Sequence, residues 1–220
     1  MKLISRAAIA LLMILLSAPL IHGRDLSKYR NFSLGMSLAD ISQQIDKKPA
    51  DATVVHERPA LIQQLTWWPP PTFGSSLPAE AVQQIRFSFY NGELYRIGVT
   101  YDDSATKGLT AEDMVQALSR DHGTATKPPG EIEEVYGTKD KVLARWEDSQ
   151  YSFNLFRSSF LNTFGLVMFT KQVNAQADTA TTEALQLEQQ GAPQKEADRL
   201  KKEKDDLETT RQRNMKSFLP

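Results

Sequence analysis

Residues 82–102 read VQQIRFSFYNGELYRIGVTYD, and this stretch decides the fold. Apolar and polar residues alternate on both sides of Asn91-Gly92, which is the pattern of a β-hairpin. A two-residue Asn91-Gly92 loop would place Phe87 opposite Arg96 and mix the two faces of the hairpin. A three-residue loop ending at Gly92 instead pairs Phe87 with Tyr95 and keeps the aromatic residues on one face. The sequence therefore predicts a hairpin with a three-residue loop, in which Gly92 forms a left-handed bulge.

A helix precedes this hairpin, and a second copy of the same helix follows it. Residues 35–45 (GMSLADISQQI) and 108–118 (GLTAEDMVQAL) align without gaps. Each segment begins with glycine and an apolar residue, then has Ser37 or Thr110, and has an aspartate three positions later. This is the pattern of a helix N-terminus, where the hydroxyl caps free N–H groups and the acidic side chain reaches back. The chain therefore contains an internal repeat of a capped helix.

Alternating apolar residues predict strands after the second helix as well as after the first. The predicted strands include Val142, Ala144 and Trp146, then Tyr151, Phe153 and Leu155 after a four-residue turn, a last strand at 164–171, and short strands at 61–68 and 132–136. Helices grouped on one side of an antiparallel sheet make an α+β domain. The sequence thus predicts two tandem helix-plus-strand units, about 32–103 and 107–171, that form one sheet with the helices packed on one face.

This arrangement, with its opening Gly-apolar-Ser/Thr-x-x-acidic helix, resembles the tandem helix-plus-sheet unit of β-lactamase-inhibitor-like proteins. Small outer-membrane assembly lipoproteins of the small-protein-A type carry a single unit of this kind. The resemblance covers most of residues 32–171 and implies the fold and a protein-binding sheet. The chain departs from both groups because it has no cysteine. The lipoproteins carry a lipid-bearing cysteine, and the inhibitors normally carry disulfides. The resemblance therefore assigns no functional residue.

The N-terminal residues 1–23 have the pattern of a cleavable secretory signal peptide. Lys2 and Arg6 supply a positive start, and residues 7–16 form an apolar run without charge. The run is shorter than the roughly 20 apolar residues that span a bilayer. We expect cleavage after Gly23 and a periplasmic or secreted mature chain without a stable membrane span. Retention as an uncleaved anchor is the alternative.

Composition limits what the mature chain can be. The absence of cysteine excludes a lipid-bearing cysteine and a disulfide framework, so residues 24–172 must be stabilised by an ordinary hydrophobic core. The formal net charge is −1, and the basic residues are not concentrated in one stretch. A nucleic-acid-binding domain would show a basic patch. We therefore expect no nucleic-acid partner.

From residue 173 onward the composition changes to Gln, Glu, Lys, Asp and Ala. Gly191-Ala192-Pro193 divides this tail, because glycine and proline interrupt helices. Beyond it, Leu200 and Leu207 are the only good seam residues in less than three heptads, which is too short and too polar a pattern to predict a coiled coil. The sequence predicts that residues 173–220 form a solvated, marginal helix or a disordered extension.

Residues that carry chemistry are sparse. Neither His56 nor His122 has another histidine at ligand spacing, and no nucleophile or phosphate-binding motif is present. Asp102-Asp103 and the Glu131, Glu133 and Glu134 group lack the spacing of a calcium loop. They are more simply a solvated linker and a charged strand edge. The sequence predicts no catalytic residue, no metal site and no cofactor.

The most unusual segment is WWPPPTFGSSLP at residues 67–78. Its prolines make the backbone stiff and extended, and a pre-ordered loop presents aromatic side chains at a low entropic cost. Trp67, Trp68 and Phe73 are therefore candidate contact residues for a partner. The alternative is that the tryptophans finish a strand and one of them is buried. Among the strand aromatics, Trp146 and Tyr151 are the ones we expect to remain partly exposed.

These features together predict an exported, non-catalytic protein-interaction module that binds a protein partner. The predicted contact surface is an exposed sheet face and the loop that carries Trp67, Trp68 and Phe73. One alternative is an envelope hydrolase that uses carboxylates brought together by folding. Another is an envelope structural or assembly factor tethered by its C-terminal tail. The sequence identifies neither the partner nor the oligomeric state.

Overall fold

The computed structural model describes residues 25–70, 82–126, 130–133, 139–159 and 161–218. Its strands are β1 (Lys28–Tyr29), β2 (Phe32–Ser33), β3 (Thr53–His56), β4 (Ile62–Trp67), β5 (Val82–Tyr90), β6 (Glu93–Tyr101), β7 (Glu131–Glu133), β8 (Lys139–Glu147), β9 (Tyr151–Arg157) and β10 (Phe164–Thr170). Its helices are α1 (Leu38–Gln44), α2 (Asp103–Thr106), α3 (Ala111–His122) and α4 (Lys171–Ser217). A 3₁₀ turn, Pro49–Asp51, follows α1.

The strands β3 to β10 form one antiparallel sheet in the order β3-β4-β5-β6-β10-β9-β8-β7. The first unit contributes β3 to β6 and the second contributes β7 to β10. The units join at the centre of the sheet, where β10 pairs with β6 from Gly165↔Thr100 to Phe169↔Arg96. The predicted α+β architecture of one antiparallel sheet is therefore confirmed.

The central hairpin differs from its prediction in register, because Phe87, predicted to pair with Tyr95, pairs with Ile97. Tyr90 pairs with Glu93, so the loop is the two-residue Asn91-Gly92 turn, with φ of 51° and 86° at these residues. The register then shifts between Ser88 and Phe89, which leaves Tyr95 as the extra residue of a β-bulge. This bulge restores the aromatic face, because Phe87 pairs with Ile97 instead of Arg96. The predicted three-residue loop is wrong, since a bulge within β6 absorbs the offset that was assigned to the turn.

Both repeat helices are capped as predicted. The Ser37 hydroxyl accepts a hydrogen bond from the Asp40 backbone N–H at 3.1 Å, and the Thr110 hydroxyl accepts one from the Asp113 N–H at 3.1 Å. Each aspartate accepts in return from the N–H of its capping residue. Hydrogen bonds from the backbone N–H and then the hydroxyl of Thr110 hold the pKa of Asp113 below its ordinary value. The reciprocal bonds fix where α1 and α3 begin.

The main core lies between the two repeat helices and one face of the sheet, here called the inner face. Ile41 and Met114 bring α1 and α3 into the same cluster as the strand residues of both units. The largest strand side chains of this cluster are fully buried: Leu65, Ile85, Phe87, Phe89, Leu94, Ile97, Phe153, Leu155, Leu166 and Met168. The expectation that the repeat helices share one face of the sheet is therefore confirmed.

The sequence left open whether the C-terminal region is a helix or a disordered extension, and the structure has one long helix there. Helix α4 continues through Gly191 and Pro193, so these residues do not divide the tail into separate segments. Its base (171–188) crosses the second, outer face of the sheet, where Ala177, Ala180 and Ala184 are buried. Starting a helix is the costly step, and the packed base supplies the start from which the outer half (189–217) extends.

We expect Pro193→Ala to stabilise the outer half of α4. Proline has no N–H to donate within the helix, and host–guest measurements place it about 3 kcal/mol below alanine in a helix interior. Hydrogen exchange of residues 189–217, followed by mass spectrometry, should therefore slow in this variant. Gly191→Ala is the matched control, with a smaller expected gain of about 1 kcal/mol. Unchanged exchange in Pro193→Ala would contradict a continuous helix.

Candidate protein-contact site

One predicted contact residue, Trp146, belongs to the core. It is 2% exposed, and its indole N–H donates a hydrogen bond to the Gly123 carbonyl oxygen at 2.9 Å. Its ring meets Phe153 edge-on at 5.8 Å between centroids and lies 6.2 Å from His122. The expectation that Trp146 stays partly exposed is wrong, because the indole satisfies its donor at the end of α3 and fills the space below that helix.

The other predicted contact residues have different surroundings. Trp67 is half-buried and packs edge-on against Phe32, with ring centroids 6.0 Å apart. Tyr151 is half-buried against the main core. Trp68 is 60% exposed at the end of β4, and Phe73 lies outside the described residues. Strands β4 and β9 stand four positions apart in the sheet, about 20 Å. The structure therefore does not gather all of the predicted contact residues that it describes into one surface.

The outer face, the predicted binding surface, is crossed by the base of α4 and is polar beneath it. Arg86 and Ser88 of β5 and Arg96 of β6 line a cleft of about 590 Å³ between the sheet and the helix. Arg96 donates to the Asn174 side-chain oxygen at 3.4 Å and lies over the Phe169 ring at 5.9 Å. These contacts link α4 to the central strands, so the outer face supports the helix as well as facing solvent.

The same cleft bears on the hydrolase alternative. The carboxylates Glu131 and Asp178 line it from β7 and α4, together with Arg86 and Arg96. Tyr95 also lines it, and burial raises the pKa of Tyr95 above its ordinary value. Two carboxylates and two guanidinium groups therefore line the cleft. Among the described residues, no group of three or more His, Cys, Asp or Glu side chains could hold a metal ion.

An apolar groove lies where α4 leaves the sheet beside the edge strand β3. Val54 and Val55 of β3 and Leu187 of α4 line it, and they are 45%, 40% and 50% exposed. Ala184 also lines this groove, whose volume is about 580 Å³. Leu185, which is 49% exposed, lies on the other side of α4 and lines the neighbouring cleft together with Val55. We call the groove lined by Val54, Val55, Ala184 and Leu187 the β3 groove.

Charged and polar side chains surround the β3 groove. His56 Nδ1 lies 3.3 Å from Glu188 Oε1, which ties the end of β3 to α4. Glu57, Arg58 and Lys195 line the same groove. Apolar side chains at the centre with charged groups around them are the arrangement found at protein–protein contacts. The β3 groove is therefore the candidate functional site.

Sequence reasoning missed this site for two reasons. The four-residue strand β3 lies in a segment, DATVVHER, that has no alternation to mark it. Leu185 and Leu187 stand in a region whose composition predicts a solvated tail, and only the packing of the base of α4 brings them to the sheet edge. Two leucines in an otherwise polar tail were the available signal, because isolated apolar residues in such a segment require a reason.

The described part of the chain has no helix that is both long and apolar enough to cross a membrane. No protein-family model matches the sequence, and no curated protein matches it. Among solved structures, the chain is similar to a cysteine-rich secretory protein from Staphylococcus aureus at 10% identity, with a TM-score of 0.32. That match covers 64% of this chain and 44% of the other, so the chain spans less than half the length of that protein. A similarity this distant gives no information about the function of this chain.

Proposed function

We propose that this chain is an exported, non-catalytic protein-interaction module whose contact site is the β3 groove. The observation that carries the proposal is the exposure of Val54, Val55 and Leu187 side by side in one groove. Contact sites between proteins typically have such an apolar centre, and their rims are polar. Export is supported by the signal-peptide pattern of residues 1–23.

The form of the edge strand indicates how a partner binds there. Strand β3 has four residues, and its register with β4 shifts between Val54 and His56. Short and bulged edges are poor templates for adding another strand. The partner therefore inserts an apolar side chain between the valines and Leu187, with charged groups opposite Glu57, Arg58 and Lys195.

We expect Leu187→Asp to weaken partner binding by at least tenfold, which is about 1.4 kcal/mol. The substitution places a charge in the apolar centre, where a few side chains carry most of the binding energy. Leu187 is half exposed, so the stability of the fold should change by no more than about 0.5 kcal/mol. The measurement is quantitative capture of a partner from the envelope fraction by wild-type and variant protein.

Gln190→Asp is the matched control, because it puts the same charge on an exposed position of α4 that does not line the groove. It should bind the captured partner as the wild type does. Equal binding by Leu187→Asp, or equal loss in both variants, would exclude the β3 groove as the contact site.

The long helix also supports a second candidate, the structural or assembly factor tethered by its C-terminal region. The outer half of α4 extends away from the sheet and is exposed. A deletion that tests this role must begin after residue 189, because removing the base of α4 also removes the buried Ala177, Ala180 and Ala184. Lost localisation with an unchanged fold would favour the tether.

A further inference from the structure

The outer half of α4 is a helix about 43 Å long at the usual rise per residue. Every side chain from residue 192 to residue 217 is exposed. Isolated helices in water are marginal, and their stability normally comes from packing an apolar side against something else. Here the base of α4 is packed and the outer half is not, so any apolar packing of the outer half must come from another molecule.

Three apolar side chains form a stripe along this outer half and the residue that follows it. Leu200, Leu207 and Phe218 follow at spacings of seven and eleven residues, which places them on one side of a helix. Their exposed fractions are 52%, 70% and 88%. By helical periodicity, Ala177 and Ala180 of the base, which are buried against the sheet, lie on nearly the opposite side. The stripe therefore points away from the domain and is accessible to a second chain.

The ion pairs within the outer half are too weak to account alone for the stability of this part of the helix. Arg199 pairs with Glu196 at 2.7 Å and with Glu203 at 3.5 Å, and Arg211 pairs with Glu208 at 3.2 Å. Exposed pairs one turn apart stabilise a helix by about 0.3–0.5 kcal/mol each. A proline inside the helix costs about 3 kcal/mol. Burial of the leucine stripe would supply the missing stabilisation.

We propose that the outer halves of two copies of this chain pair in antiparallel orientation through residues 193–218. In this arrangement Leu207 of each copy lies level with Lys204 of the other, and Leu200 lies level with Arg211. The long side chains of lysine and arginine cover the leucines while their charged ends reach water. Along the contact between the two helices, leucine side chains therefore alternate with the aliphatic parts of lysine and arginine side chains.

Charge decides the orientation. In the antiparallel pair, Lys201 and Lys204 of one copy flank Glu208 of the other, and the same contacts form a second time by symmetry. In a parallel pair, Lys204 would stack on Lys204 of the second copy, Arg211 on Arg211, and Glu203 would face Glu208. Like charges across such a seam oppose pairing. The antiparallel dimer carries two β3 grooves, and its formation does not depend on what those grooves bind.

The test is the mass of the full chain in solution, by light scattering over a concentration series. We expect twice the chain mass for the wild type and the single chain mass for Leu200→Ala/Leu207→Ala, since alanine keeps the helix and removes the stripe. Glu208→Lys should weaken dimerisation at least tenfold. Lys201→Glu/Lys204→Glu/Glu208→Lys exchanges the charges on both sides of the seam and should restore it. Lys202→Ala, on the other side of the helix, should have no effect.

Orientation is tested with a spin label on Ser217→Cys, which would be the single cysteine of the chain. An antiparallel pair places the two labels about 35 Å apart along the helices. A parallel pair places them within about 20 Å, because paired helix axes are 8–10 Å apart. A monomer at every concentration, a dimer that survives the leucine and Glu208→Lys variants, or the short label distance would each overturn the proposal. A different protein captured on the stripe of a monomeric chain would overturn it as well.

Discussion

Trp146→Ala is expected to lower the free energy of unfolding by about 3–5 kcal/mol, the usual cost of replacing a buried tryptophan with alanine. The side chain is 2% exposed and contacts Phe153 and His122. The substitution leaves a cavity below α3 and also leaves the Gly123 carbonyl without the donor it has now. A domain of this size is stable by only about 5–15 kcal/mol, so the loss is a large fraction of the total. Urea unfolding followed by circular dichroism measures it.

Trp68→Ala is the control for this prediction. The same substitution at a 60% exposed position should change stability by no more than about 0.5 kcal/mol. Similar costs for the two tryptophans would mean that Trp146 is not the core residue described above. Trp146→Phe should cost less than Trp146→Ala, because it keeps an aromatic ring in the core and removes the donor to Gly123 with part of the indole's volume.

The architecture could be predicted from sequence because local patterns and burial agree in it. The caps at Ser37 and Thr110 require only the residue types that occur there, and the structure forms both. Alternation in β5 and β6 correctly identifies a hairpin with an aromatic face. Its register could not be predicted, since an extra loop residue would pair Phe87 with Tyr95 and a bulge at Tyr95 pairs Phe87 with Ile97, and both avoid a pairing of Phe87 with Arg96. Alternation locates the buried face, and it leaves open where the extra residue lies.

The candidate site could not be predicted because it depends on contacts between distant parts of the chain. Alternation in β8 predicts a strand, yet the burial of Trp146 depends on where the end of α3 brings the Gly123 carbonyl. In the same way, the sequence shows Leu187 only as one leucine of a polar helix. The packing of the base of α4 on the sheet is what brings it into one groove with Val54 and Val55. Composition describes the tail as solvated, and this is correct for the outer half alone. Three buried alanines of the base, Ala177, Ala180 and Ala184, lie where the helix packs on the sheet.

Ala177→Lys is expected to cost about 3–5 kcal/mol, as a buried charge without a partner does. Ala177 is 1% exposed, and it lies one turn after Asn174, which binds Arg96. A lysine there would be buried beneath the helix, so the base of α4 must lift from the outer face. The measurement is again urea unfolding, combined with hydrogen exchange of residues 189–217.

Hydrogen exchange distinguishes a local defect from loss of the whole helix. If the packed base supplies the start of α4, lifting it removes the start of the outer half as well, and exchange should become faster along the entire helix. Ala175→Lys is the matched control, because it adds the same charge at an exposed position of the same helix and should leave both measurements nearly unchanged. Normal stability of Ala177→Lys would contradict the packing of α4 on the sheet. Faster exchange confined to the base would instead mean that the packed base does not supply the start of the outer half.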